Sequence, residues 1–242
     1  MRARSLLLLT VLSAAALAVL IGLGVWQLRR LQWKEGLIAD IEARIKAEPI
    51  SLKETVARAR AGEDVSYVRV RVDGRFDNDE ERYLFAVSDG TPGWHVITPL
   101  TTRDEEVVLI DRGFVPETFR DPSSRAQGEL NDAVTITGLA RPPETQGLFV
   151  PDNEIEQNRW FWRDLSAMAK SMFGGGAGTK DVAPFFLEAE RSDIPGGGWP
   201  LGGQTRLDLP NNHLQYAITW FALALCLVVI YVIYVRSRWK AA

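Results

Sequence analysis

Asn212-His-Leu-Gln-Tyr-Ala-Ile-Thr-Trp220 opens an apolar run that lasts from about Tyr216 to Val235, and the reading of that run decides the fold. A helix needs about 20 apolar residues to cross the hydrocarbon core of a bilayer, and this run is long enough. Near the other end, Leu6 to Trp26 carries no charge and starts Leu6-Leu-Leu-Leu-Thr-Val-Leu12. It exceeds the roughly 7–15 apolar residues of a signal-peptide core, and no small-x-small site follows before Trp26, so an uncleaved anchor is expected. The chain reads as a two-span membrane protein.

The segment between the runs has ordinary globular composition. The mean hydropathy of the whole 242-residue chain, close to zero, therefore averages two unlike materials. Arg236, Arg238 and Lys240 follow the second run, while Arg206 alone is basic nearby on its other side. Around the first run, Arg2 and Arg4 oppose Arg29, Arg30 and Lys34, so that end is ambiguous. The positive-inside rule then puts both termini in the cytoplasm and the middle outside it, since long domains cross largely regardless of charge. The expected layout is a cytoplasmic N-terminus (1–5), a first span (6–26), an extracytoplasmic domain (27–214), a second span (215–235) and a cytoplasmic C-terminus (236–242).

Net charge is −3, but eight of the 28 Lys and Arg flank the runs (Arg2, Arg4, Arg29, Arg30, Lys34, Arg236, Arg238 and Lys240), leaving 20 basic against 31 acidic residues elsewhere. A surface of that sign repels nucleic acid, so no nucleic-acid partner is expected. The one cysteine, Cys226, lies inside the second run and reads as a small buried apolar residue. No Cys-x-x-Cys or thiolate cluster offers a zinc or iron–sulfur site.

Leu23, Trp26, Arg30, Trp33 and Leu37 keep a helical rhythm past the first run, Ile38, Ile41 and Ile45 extend it, and Pro49 stops it. Trp26 and Trp33 suit the interfacial belt. Ser51-Leu-Lys-Glu54 is a capping box that opens a short helix closed by Gly62. The period then changes to two, with Val68, Val70 and Val72 alternating with Arg69 and Arg71 toward Phe76. Further strands are expected at Arg82–Val87, Trp94–Leu100, Glu106–Arg112, Val134–Leu139, Arg159–Arg163 and Pro184–Glu188, and a helix at Asp164–Phe173. Asp89-Gly90 and Pro92-Gly93 read as turns. These elements predict a membrane α+β protein: two transmembrane helices enclosing a mainly antiparallel sheet or open barrel with a few short helices.

Candidate chemistry is sparse. Gly174-Gly-Gly-Ala-Gly-Thr-Lys180 departs from a phosphate loop, which needs Lys directly after the last Gly. Asp104-Glu105-Glu106 reads as a solvated turn. No nucleophile elbow or acid/base pair is found, so an enzyme is not expected. The chain has two histidines. His95, on an expected strand without a second ligand at metal spacing, reads as structural. His213 differs: with Tyr216 and Trp220 at i, i+3 and i+7, an imidazole, a phenol and an indole share one helix face at the lipid–water boundary. Such a face suits either a haem, whose iron takes neutral imidazole as an axial ligand, or interfacial anchoring alone.

Several strings stand in order: Gly24-Val-Trp-Gln-Leu-Arg-Arg-Leu-Gln-Trp-Lys34, Arg112-Gly-Phe-Val-Pro116, Arg159-Trp-Phe-Trp-Arg-Asp164, Gly202-Gly-Gln-Thr-Arg206 and Asn212 to Trp220. Together they resemble the Surfeit locus protein 1 family from about Gly22 to Phe221. The resemblance implies an assembly factor for cytochrome c oxidase that binds haem a and aids its insertion into subunit I. It implies His213 as axial ligand to haem iron, with Tyr216, Trp220 and Trp26 flanking the ring. It also implies subunit I and haem a synthase as partners, and allows a homo-oligomer. Where the family often has Tyr-Arg-Pro-Val, this chain has Tyr67-Val-Arg-Val70. Entry into the membrane soon after Arg4 leaves no room for a mitochondrial transit peptide, so a multi-pass protein of a bacterial inner membrane with a periplasmic domain is expected. A cofactor-free scaffold that holds oxidase subunits, with Thr219 bonding between helices, is the alternative.

Overall fold

The computed structural model describes residues 2–174, 181–190, 198–203 and 210–240. Residues 175–180 of the first Gly-rich passage, 195–197 of the second and 204–206 of the Gly202 string lie outside them. Among the described residues, the helices are α1 (Arg2–Lys46), α2 (Leu52–Arg60), α3 (Leu165–Phe173) and α4 (His213–Lys240). The strands are β1 (Ile50–Ser51), β2 (Arg69–Phe76), β3 (Arg82–Ser88), β4 (Thr91–Thr102), β5 (Val107–Pro116), β6 (Val134–Arg141), β7 (Arg159–Trp160) and β8 (Val182–Ala189). The chain divides into two compact units, Met1–Asp40 with Leu207–Ala242, and Ile41–Arg206.

The first unit pairs α1 with α4. Both are long and apolar enough to cross a membrane, and large apolar side chains such as Leu7, Leu12, Val19, Ile218, Leu225 and Ile233 point outward. That is the inverse of a soluble helix pair and suits lipid as solvent. On α1 the inward positions Leu17, Leu20, Gly24, Gln27, Leu31 and Lys34 recur at alternating steps of three and four. On α4 Ala217, Trp220, Ala224, Leu227 and Tyr231 do the same. This spacing keeps one seam facing the partner helix. Thr10 and Tyr231 hydroxyls lie 2.8 Å apart and Lys34 Nζ donates to the Pro210 carbonyl, so the helices run antiparallel. Cys226 faces outward.

The second unit is a sheet that closes on itself. Strand order is β1-β2-β6-β8-β5-β4-β3-β7, and an extra β2–β4 pairing joins β2, β6, β8, β5 and β4 into a five-stranded barrel. β2 turns the corner at Gly74, which pairs with Val134 on one side and Thr102 on the other. The sheet is mainly antiparallel, as expected. The parallel pairs are β1–β2, β3–β7 and β5–β8. Where an open barrel stood as one expectation, the β2–β4 pairing closes it.

Val70, Val72, Val108, Ile110, Ile136, Phe185 and Leu187 fill the barrel, with Leu52 and Val56 of α2 packed on them. The alternating partners on β5 and β8 face the other way. Val107, Leu109 and Phe186 pack with Leu84, Ile97, Trp160, Met168 and Met172. β5 is therefore buried on both faces, and its near-continuous apolar run reflects that. Ser51 caps α2 as its sequence box predicts, accepting from the Glu54 N–H at 3.2 Å, and Asp164, expected inside the helix, instead caps α3 by accepting from the Ala167 N–H at 3.0 Å.

Two local readings are corrected. Asp89-Gly90 makes the β3–β4 turn with both residues at positive φ, as a two-residue hairpin turn requires. Pro92-Gly93 is no turn: it lies inside β4 and pairs with Val87 and Ala86, because β4 begins directly after Gly90. The strand expected over Arg159–Arg163 is only Arg159–Trp160, since Asn153 Oδ1 accepts from the Phe161 and Trp162 N–H groups and takes them out of a ladder.

Candidate functional site

His213 begins α4, and its imidazole is half-buried against α1. Its Nδ1 lies 2.7 Å from Oε1 of Gln27. An amide oxygen only accepts, so Nδ1 donates in this bond, which in the neutral imidazole leaves the lone pair on Nε2. Nε2 has no partner among the described residues. Gln27 is 9% exposed, a polar residue placed on the seam one turn from Gly24. There the Phe221 ring packs so closely that a Cβ on Gly24 would come within 2.7 Å of it.

The other expected residues divide. Trp220 joins His213 on the seam, half-buried beside Ala217. Tyr216 turns away to 55% exposure, and Trp26 on α1 is 56% exposed. Each precedes a seam residue by one position, Ala217 and Gln27. In an antiparallel pair that offset turns both side chains to the same flank. Trp26 and Tyr216 thus border one flank of the helix pair, with His213 on the seam beside them. On α1, the Arg30 guanidinium sits 3.9 Å over the Trp33 ring, an arrangement suited to the interface. Thr219 does not bond between helices: its hydroxyl donates to the Gln215 carbonyl of its own helix at 2.9 Å. The side-chain bonds between α1 and α4 come instead from Thr10, Gln27, Tyr231 and His213.

The domain carries its own buried charges. Asp111 on β5 is 1% exposed, with His95 Nδ1 at 2.8 and 3.0 Å from its two oxygens and Arg163 donating at 2.9 Å. Burial pushes the Asp111 carboxyl up, but the His95 and Arg163 charges outweigh it and hold the group well below the usual carboxylate range. Burial likewise lowers His95, and the Asp111 carboxylate overcomes it, so the imidazole titrates above its ordinary value. Arg163 also reaches Glu144 at 3.1 Å. A second cluster centres on Glu81, which accepts from Arg112, Arg125 and the Tyr83 hydroxyl. Burial and the Glu81 charge push Tyr83 up to about 12.

The sequence strings acquire roles here. Arg112 holds Glu81, Asp111 precedes it, and Arg163 closes the run that begins at Arg159. These charges are paired inside the domain and read as structure. Among the described residues no group of three or more His, Cys, Asp or Glu is disposed to hold a metal ion. Sequence reasoning missed Gln27. Its signal was a lone amide on the inward stripe between Gly24 and Leu31.

Comparison with known proteins points the same way. A family model described as the SURF1 family matches residues 14–225. A SURF1-like protein of Monosiga brevicollis is 39% identical over 218 residues, covering 85% of this chain and 79% of its own length. Surfeit locus protein 1 of Gallus gallus is 37% identical over 219 residues, 83% of this chain and 67% of its own. That of Homo sapiens is 37% identical over 221 residues, 84% and 69% respectively.

Proposed function

The chain belongs to the SURF1 family, and from that premise we propose that it is an assembly factor for cytochrome c oxidase that holds haem a at the membrane surface and aids its insertion into subunit I. The observation that carries this reading is the bond from His213 Nδ1 to Gln27 Oε1 at 2.7 Å. Such a bond fixes the tautomer and ring orientation of a ligating histidine and leaves Nε2 to bind. The residues fit the group: one imidazole with a free lone pair, and two exposed aromatic faces on a common flank.

Bound haem a would supply an iron that accepts a neutral imidazole. His213 would offer that nitrogen, Gln27 would hold the ring in place, and Trp26, Tyr216 and Trp220 would offer the group their aromatic faces. We assign no bond-breaking step to these side chains. With His213 the one histidine at this site, the chain would hold the group through a single imidazole, which would suit handing it on. The reading places the chain in a bacterial inner membrane with its domain in the periplasm, with subunit I as receiver, haem a synthase as donor, and self-association permitted.

The test is the visible spectrum of the protein purified from cells that make haem a. A Soret band in the wild type that His213→Ala abolishes, with the amount of protein in the membrane unchanged, is the expected result. Equal haem in both would end the His213 assignment. No pigment in either would leave a cofactor-free scaffold.

A further inference from the structure

The connection between β6 and β7 carries Leu148 and Phe149, which are 97% and 99% exposed. Among the described residues of the second unit they are the most exposed large apolar side chains. Their turn is built. The Val150 N–H donates to the Gly147 carbonyl at 3.1 Å. The Gln146 amide donates to the Val150 carbonyl and to Asp152 Oδ1, both at 2.9 Å. Pro142, Pro143 and Pro151 stiffen the approaches. Beside the turn lies a cleft lined by Pro143, Gln146, Trp162, Leu165 and Ala169. A braced pair of bare apolar side chains next to a cleft has already lost the conformational freedom that binding would otherwise remove.

The surrounding charge selects the partner. Glu144, Asp152, Glu154 and Glu156 flank the pair; Glu144 and Glu154 are balanced by arginines, so Asp152 and Glu156 set the local sign. The nearby bases are engaged within the chain: Arg141 with Glu188, Arg159 with Glu154, and Arg163 with Asp111 and Glu144. A loop that enters a bilayer carries Lys and Arg beside its apolar tip, because membrane surfaces are anionic. This one carries the opposite sign. We infer that Leu148 and Phe149 form a docking knob for another protein, one that offers an apolar pocket rimmed by Lys and Arg.

The test replaces the Phe149 ring with a benzophenone photoprobe in the full-length chain, in the membranes of its own cells, and maps the adducts by mass spectrometry. The same probe at Arg103, an exposed turn residue, sets the background. The expected adducts concentrate on one apolar segment of one other protein with Lys or Arg beside it. Leu148→Ser and Glu156→Lys should each cut their yield by roughly five-fold or more, with thermal unfolding unchanged because both side chains are exposed. Lipid adducts, adducts to a second copy of this chain, adducts no stronger than at Arg103, or a yield indifferent to Glu156→Lys would each overturn the inference.

Discussion

Gln27 and His213 lie 186 positions apart in the chain and 2.7 Å apart in space, so the two ends of the sequence meet through a polar bond on a largely apolar seam. The bond makes the orientation of the imidazole depend on the pairing of α1 with α4. It also explains why an amide is tolerated there. A buried polar group near the bilayer needs a partner, and His213 Nδ1 is it.

Replacing Gln27 separates positioning from ligation. Gln27→Leu keeps the bulk and removes the acceptor, which frees the tautomer, and haem retained per protein should fall about 10–100-fold, the usual effect of losing such a partner. Gln27→Glu keeps an acceptor and should retain most of the haem. Absorbance per mole of purified protein reads both. Wild-type haem in Gln27→Leu would remove Gln27 from the site.

Asp111 should be among the most sensitive positions of the domain. Asp111→Asn keeps the shape but leaves Arg163 and a charged His95 facing a neutral amide in a site where the carboxylate is 1% exposed. Breaking a buried pair from one side costs about 3–5 kcal/mol. Thermal unfolding of the full chain in detergent should show it as a large fall in Tm, and a near-unchanged Tm would contradict the geometry.

The same pair gives the domain a pH window. Asp111 titrates below its ordinary value, so its contribution is complete above about pH 4 and is lost as pH falls through its lowered pKa. His95 titrates above its ordinary value, so its contribution is complete below about pH 6.5 and fades as pH rises through its raised pKa. Both contribute fully between those limits. The difference in Tm between wild type and His95→Gln should be largest there and shrink on the alkaline side. A difference that grows as pH rises above neutrality would refute the ion pair.

Periodic features of this architecture were legible in the sequence because each follows from a local repeat. The spans show as unbroken apolar runs. β2 shows as Val70 and Val72 against Arg69 and Arg71, and α3 as a stripe of Met168 and Met172. Non-local pairings left no such mark. Closure of the barrel depends on Phe76 meeting Leu100, and no local pattern encodes that register. His95 and Asp111 are brought together by the β4–β5 register and its bulge between His95 and Ile97, so His95 looked like an isolated imidazole. Pro92-Gly93 carried turn chemistry but sat just after a turn that was already complete. Gln27 was hidden for a related reason: an amide in a span has meaning only once the helix facing it is known.

Gly113, inside the string Arg112 to Pro116, should not tolerate a side chain. Its φ is +115°, and a Cβ there would stand 2.0 Å from the Leu201 carbonyl oxygen. That oxygen accepts from the Phe114 N–H at 3.0 Å, and the Leu201 N–H donates back at 2.9 Å, so the clash falls on a backbone bridge that cannot shift without breaking. The bridge holds Trp199 against Phe119, stacked at 5.5 Å, and near Phe114 at 6.4 Å. The Gly113 N–H also donates to Asp111 Oδ1 at 3.1 Å, which couples the turn to the buried ion pair. Backbone strain of this kind costs about 1–3 kcal/mol by itself, and with the bridge lost Gly113→Ala should destabilise the domain by about 3 kcal/mol or more. Denaturant unfolding measures the loss, and limited proteolysis should find the 198–203 segment cut first. Stability within about 0.5 kcal/mol of wild type, the range of an ordinary surface change, would mean that the backbone at Gly113 is not held as described.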